Sequence, residues 1–162
     1  MAIRFTDDEI AQLLAEPKPL PADFRQRLRL HQKRGHREAA LGITGADGTQ
    51  FWLLARQSSL NVLDFSIILA VTPVGSGSRF RLRRHNGKSH EHSNAIERDL
   101  FYDFHIHMAT QRYQELGMKE DSYAEPTERY SDLVGALECF YADCAILLSP
   151  GGQETLFPED VI

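Results

Sequence analysis

Apolar positions along the chain change their spacing several times, and each change predicts an element. Thr6-Asp7-Asp8-Glu9 has the form of a capping box, with Phe5 and Ile10 at the staple positions and Leu13 and Leu14 continuing one face. This predicts an N-terminal helix closed by Pro17, Pro19 and Pro21, which make a stiff extended connector, helix and connector together covering residues 1–22. The period then becomes two: Phe24, Leu28 and Leu30 are interleaved with Arg25, Arg27 and Arg29, as on a half-buried strand with a basic outer face. Leu41-Gly42-Ile43 runs into the turn composition Gly45-Ala46-Asp47-Gly48, which suits a hairpin. Residues 50–57 and 62–72 are the richest in aromatic and β-branched side chains, and 73–78 (PVGSGS) is the turn that follows. Strands are expected again over 80–85 and 101–108. Leu133, Leu137, Phe140, Cys144 and Leu147 then recur at helical spacing, widened by Val134, Tyr141 and Leu148, from a cap at Ser131 to a stop at Gly151-Gly152.

The expected fold class is therefore α+β: an N-terminal helix, an antiparallel five- or six-stranded meander sheet over 24–108, and a C-terminal helix over 131–149 packed on one face. The polar stretch 111–130 carries no clear period. With 162 residues, 42% hydrophobic and 25% charged, the chain suits one domain, 1–162, with a real core. No apolar run suits a membrane span, and MAIRFTDDEI lacks the layout of a secretory signal, so a cytoplasmic protein without membrane contact is expected. Cys139 and Cys144 read as small core residues of a reducing compartment.

Charge sharpens the picture locally. The net charge of −5 argues against a chain coated in nucleic acid, but 25–37 holds six basic residues and no acid, whereas from Glu115 onward eleven acids face only Lys119 and Arg129. Between these lies the stretch with most chemistry. It holds five of the seven histidines (His85, His90, His92, His105 and His107) together with Arg79, Arg81, Arg83, Arg84 and Lys88. Strand alternation turns Phe80 and Leu82 inward and Arg81 and Arg83 outward; likewise Phe104, Ile106 and Met108 inward and His105 and His107 outward. If the two strands pair, two arginines and two histidines share a solvent-side face. The turn dipeptide Asn86-Gly87 would present Lys88, His90, His92 and Asn94 beside it.

Three chemistries suit such a face. Cleavage of RNA by its neighbouring 2′-hydroxyl needs an acid, a base and cations for the phosphate, which histidine and arginine supply without a metal. A divalent metal ion is the second, held by His90, His92, His105 and His107 in two His-x-His pairs. The spacing of His90, His92 and Glu97 resembles the first metal motif of cupins, whose glycines and second motif are missing here. The third is a face used only for binding. Tyr102, Tyr113, Tyr123 and Tyr130 offer rings that could stack on bases, and of these Tyr113 is the candidate.

The run FRLRRHNGKSHEH, the later FHIH and the closing amphipathic helix resemble the core of small bacterial toxins of the TumE type. The resemblance covers roughly 51–148 and implies an RNA-directed toxin with an antitoxin partner. It points to Arg83, Asn86, His90, His92, His105 and His107; Arg84-His85 stands where those toxins show an aromatic residue and an aspartate. The leading expectation is thus a toxin-like, metal-independent ribonuclease. His105, His107 and His90 would do the acid–base work, and Arg81, Arg83, Asn86, Lys88, His92, Asn94 and Tyr113 would hold RNA. The alternatives are a histidine-rich metal-binding protein and a non-enzymatic interaction protein of phage or mobile-element origin. The last would meet a host complex or antitoxin-type partner through its acidic region.

Overall fold

A computed structural model describes residues 4–148. Its elements in chain order are α1 (Asp7–Ala15), β1 (Lys18–Pro19), α2 (Phe24–Arg27), β2 (His31–Gln32), β3 (His36–Thr44), β4 (Gln50–Ser58), β5 (Phe65–Thr72), β6 (Phe80–Asn86), β7 (His92–Ser93), β8 (Leu100–Phe101), β9 (His105–Met108), α3 (Gln111–Glu115), β10 (Tyr123–Pro126), α4 (Leu133–Asp143) and β11 (Ile146–Leu147). The fold is α+β. Seven strands form one antiparallel sheet in the order β10-β9-β6-β5-β4-β3-β2, and β3 to β6 are the expected meander. β1 pairs with β11 in parallel, and β7 with β8 antiparallel, as separate two-stranded ribbons.

The core lies on one face of the sheet. Leu41, Ile43, Phe51, Leu53, Ile67, Leu69 and Leu82 from the strands share one core with Ile10 of α1, Phe24 of α2 and Leu28 at its end, and Leu133, Ala136, Leu137 and Phe140 of α4. Each large apolar side chain taken fully from water contributes about 1.5–3 kcal/mol, which is what holds α4 down. The capping box of α1 is present, with Thr6 Oγ1 accepting from the Glu9 amide and Glu9 from the Thr6 amide. α4 is capped by Asp132, whose carboxylate accepts from Gly135 N at 2.8 Å, rather than by Ser131. It ends at Asp143, because Ala145 takes φ 54° and turns the chain into β11. The expected stop at Gly151-Gly152 lies outside the described residues.

Three further expectations are corrected. Residues 24–27 form a helical turn, not a strand: Phe24 and Leu28 are four residues apart, so one turn buries both as well as alternation would. Residues 62–64 belong to the turn before β5, where Leu60 and Val62 are exposed. The polar stretch 111–130 contributes α3 and the edge strand β10.

One irregularity decides the geometry of the histidine region. Leu69 of β5 pairs with Arg83 of β6 and Ala70 with Arg81, so Leu82 is an extra residue, a β-bulge. Beyond it the alternation reverses. Arg84 and Asn86 now face away from the core, opposite His107 and His105 of β9, while His85 faces inward opposite Ile106. Arg83, expected beside the histidines, reaches α4 instead, 3.9 Å from Asp143.

Candidate metal centre

β9 does turn His105 and His107 away from the hydrophobic core, but not into solvent. Both are buried, at 1% and 4% exposure, because the excursion between β6 and β9 folds back over that face of the sheet. Its anchors are specific. The Asn94 amide pairs with both backbone groups of Ala124 on β10, donating to the carbonyl at 2.7 Å and accepting from the amide at 2.9 Å. Glu97 accepts from the Tyr113 hydroxyl at 3.1 Å and the Arg112 guanidinium at 3.2 Å on α3. At the start of the excursion, a Cβ on Gly87 would collide with the Leu63 carbonyl, so only glycine fits where β6 leaves the sheet.

The excursion brings His92 over β9. Ring centroids of His92 and His105 are 5.5 Å apart, of His92 and His107 4.8 Å, and of His105 and His107 5.0 Å. One ring nitrogen from each histidine lies within 4.8 Å of the others, a grouping that could hold a metal ion. Hydrogen bonding fixes the tautomers. A carbonyl oxygen only accepts, so the nitrogen facing it carries the proton. His105 Nδ1 donates to Asp103 O and His107 Nδ1 donates to Asp121 O, each at 2.8 Å. The two Ala124 bonds orient the Asn94 amide, so its Oδ1 accepts from His92 Nε2 at 2.8 Å. The unprotonated nitrogens are then Nε2 of His105 and His107 and Nδ1 of His92. Metal-bound histidines characteristically tie their second N–H to an oxygen in this way.

Electrostatics favour the same state. Burial first, then neighbouring His92, His90 and Arg84, lower the His105 pKa to about 4, with only the hydrogen bond to Asp103 opposing them. His107 is held lower still by burial, then by Arg84 and the other two histidines. Both imidazoles are neutral near pH 7, the form that binds metal and not the form that donates a proton. Phe101 completes the surround, packing 5.4 Å from His92 and 5.7 Å from His105.

His90 is exposed, its ring 6.0 Å from that of His105. Asn86 is buried, with Nδ2 3.4 Å from His105 Nε2 and Oδ1 accepting from Ser66. Asn94 is a buried positioner of His92, not a surface contact. Lys88 lies over the Tyr102 ring at 5.3 Å. Arg81 is engaged by Glu120 at 3.7 Å and Asp121 at 3.2 Å. Tyr113 is 0% exposed, which removes it as a stacking platform for a base; its hydroxyl instead holds Glu97 and accepts from the Ile96 amide. Glu97, for all its cupin-like spacing, points to α3 rather than to the histidines.

The pattern reading missed Arg84 and Asp121. Arg84 Nε lies 3.3 Å from the fully buried Asp121 carboxylate, whose backbone carbonyl fixes His107. Burial pushes the Asp121 carboxyl up, against the pull of Arg84 and Arg81. No sequence signal marks Asp121 within its polar stretch.

A second group, His85, Cys139 and Asp143, lies on the core side of the same strand. Here Asp143 already accepts from His85 Nε2 at 3.0 Å and from both terminal nitrogens of Arg129, at 3.0 and 2.8 Å. The hydrogen bonds from His85 and Arg129 keep its carboxyl well below the usual range despite burial, and burial pushes the Cys139 thiol up. A network of this kind ties α4 to β6 and suits an added cation poorly. Comparison with protein-family models, curated proteins and solved structures finds no match. No helix among the described residues is long and apolar enough to cross a membrane.

Proposed function

We propose that this protein is a divalent-metal hydrolase whose ion is held by His92, His105 and His107. The observation that supports this above all others is the convergence of three imidazoles, each with its second nitrogen donating to a fixed oxygen. Neutral imidazoles suit zinc, copper or nickel, and three of them leave a coordination position for water. A zinc ion held there would lower the pKa of bound water to about 7 and would polarise an ester or phosphoester oxygen. The resemblance to TumE-type toxins makes RNA the substrate of choice, in a metal-dependent reaction. A histidine acid–base pair is less well supported, since His105 with a pKa of about 4 is unprotonated at neutral pH. Within the acidic region, Glu120, Asp121 and Asp143 are paired with the chain's own arginines.

The test is metal content and RNA cleavage of the purified protein before and after EDTA, with zinc or another single ion added back. One ion per chain and cleavage that follows the ion are expected. His107→Ala should lower affinity for the ion at least about a hundredfold. Cleavage that persists in EDTA, or a chain that binds no ion, would overturn the proposal.

A further inference from the structure

Three histidines leave His90 unexplained, two residues from His92 and, unlike the cluster, exposed to solvent. Its ring stands edge-on to His105 at 6.0 Å between centroids. Two imidazoles on one tetrahedral zinc ion, with Zn–N of about 2.0 Å, hold their centroids roughly 5 Å apart. His90 therefore stands just outside ligand spacing from His105, on a stretch that belongs to no strand.

Its hydrogen bonding repeats the pattern of the other three. Ser89 Oγ lies 3.4 Å from Asp64 Oδ1 and 3.1 Å from His90 Nδ1. The carboxylate can only accept, so it takes the hydroxyl proton; the hydroxyl oxygen then accepts from Nδ1–H of His90. This leaves Nε2 as the unprotonated nitrogen, as in His105 and His107. Asp64 is itself 3.8 Å from Arg56, which holds the far end of the relay in place.

We propose that His90 is the fourth, displaceable ligand of this centre. It closes the coordination shell at rest, and it leaves when water or a substrate oxygen binds. His105 and His107 are buried in the sheet and His92 is held through Asn94, so His90 is the ligand whose departure disturbs least. The inference rests on the three-histidine reading and adds a gate to it: access to the ion is controlled by one solvent-side imidazole.

The experiment is cobalt(II) loading of the full chain, followed by its visible d–d absorption, for the wild type, His90→Ala and His107→Ala. Exchanging a nitrogen ligand for a water oxygen moves those bands. H90A should show shifted bands and an affinity lower by roughly tenfold to a hundredfold. Millimolar imidazole should restore the wild-type spectrum in H90A, because the vacated position faces solvent. If H90A matches the wild type in spectrum and affinity while H107A loses the ion, the role of His90 is overturned and the three-histidine centre stands. If the wild type binds no cobalt, both fall.

Discussion

Counting protons during metal binding probes the buried histidines most directly. A histidine must be unprotonated to ligate, so any proton it carries beforehand is released as the ion binds. With ordinary pKa values near 6.5, each histidine carries about 0.9 of a proton at pH 5.5, and a four-histidine set would release about 3.6 per ion. This centre differs. The His105 pKa of about 4 implies a protonated fraction of only about 0.03 at that pH, and His107 lies lower still. His105 and His107 then have almost no proton to displace, and each other ligand can give up one at most. The sign follows: acid weakens binding only through groups that are protonated in the free protein, so affinity falls less steeply between pH 7 and pH 5 than for an exposed histidine cluster. Isothermal titration of zinc at pH 5.5 in two buffers of different ionisation heat gives the number directly. Release of three or more protons per ion would show that His105 and His107 are not held neutral, and the buried geometry would be wrong.

Two substitutions test the supports of the site. Asp121→Ala leaves Arg84 and Arg81 without their shared buried carboxylate, and should cost about 3–5 kcal/mol in urea unfolding; a loss below about 1 kcal/mol would mean that solvent already compensates the arginines. Asn94→Ala removes the acceptor that orients His92 and should weaken metal binding about tenfold to a hundredfold without removing a ligand. Wild-type affinity in that variant would mean that something other than Asn94 sets the His92 ring.

Local signals carried the sequence reading a long way where they act alone. The capping box of α1, the hairpin at Gly45–Gly48 and the meander of β4, β5 and β6 depend on turn chemistry and alternation, and these are written in neighbouring residues. The reading failed where distant contacts decide. Phe24 and Leu28 satisfy a strand and a helical turn equally, and packing against β3 chose the turn. The histidines were found by composition, and that His-x-His places both rings on one face was legible too. That the face is covered was not, because covering it depends on Asn94 meeting Ala124 and Glu97 meeting Tyr113, contacts 30 and 16 residues apart.

The bulge at Leu82 has the largest consequence and left no mark in the sequence, since no glycine or proline flags it. Strict alternation sends Arg81 and Arg83 to one face; one extra residue sends them to opposite faces and exchanges the faces of Arg83 and Arg84. Each then meets its own carboxylate. Asp143 draws Arg83 and His85 to α4, and Asp121 draws Arg84 to the segment whose carbonyl fixes His107. The β6–β9 pair is thereby held from both sides, so His105 and His107 are set by sheet and ion pairs before any metal arrives. His92 and His90 come from the excursion, which reaches the sheet through fewer contacts. An ion bound by all four would staple that excursion down. Metal binding should accordingly order the segment that controls access to the metal, with β9 acting as the fixed half of the site.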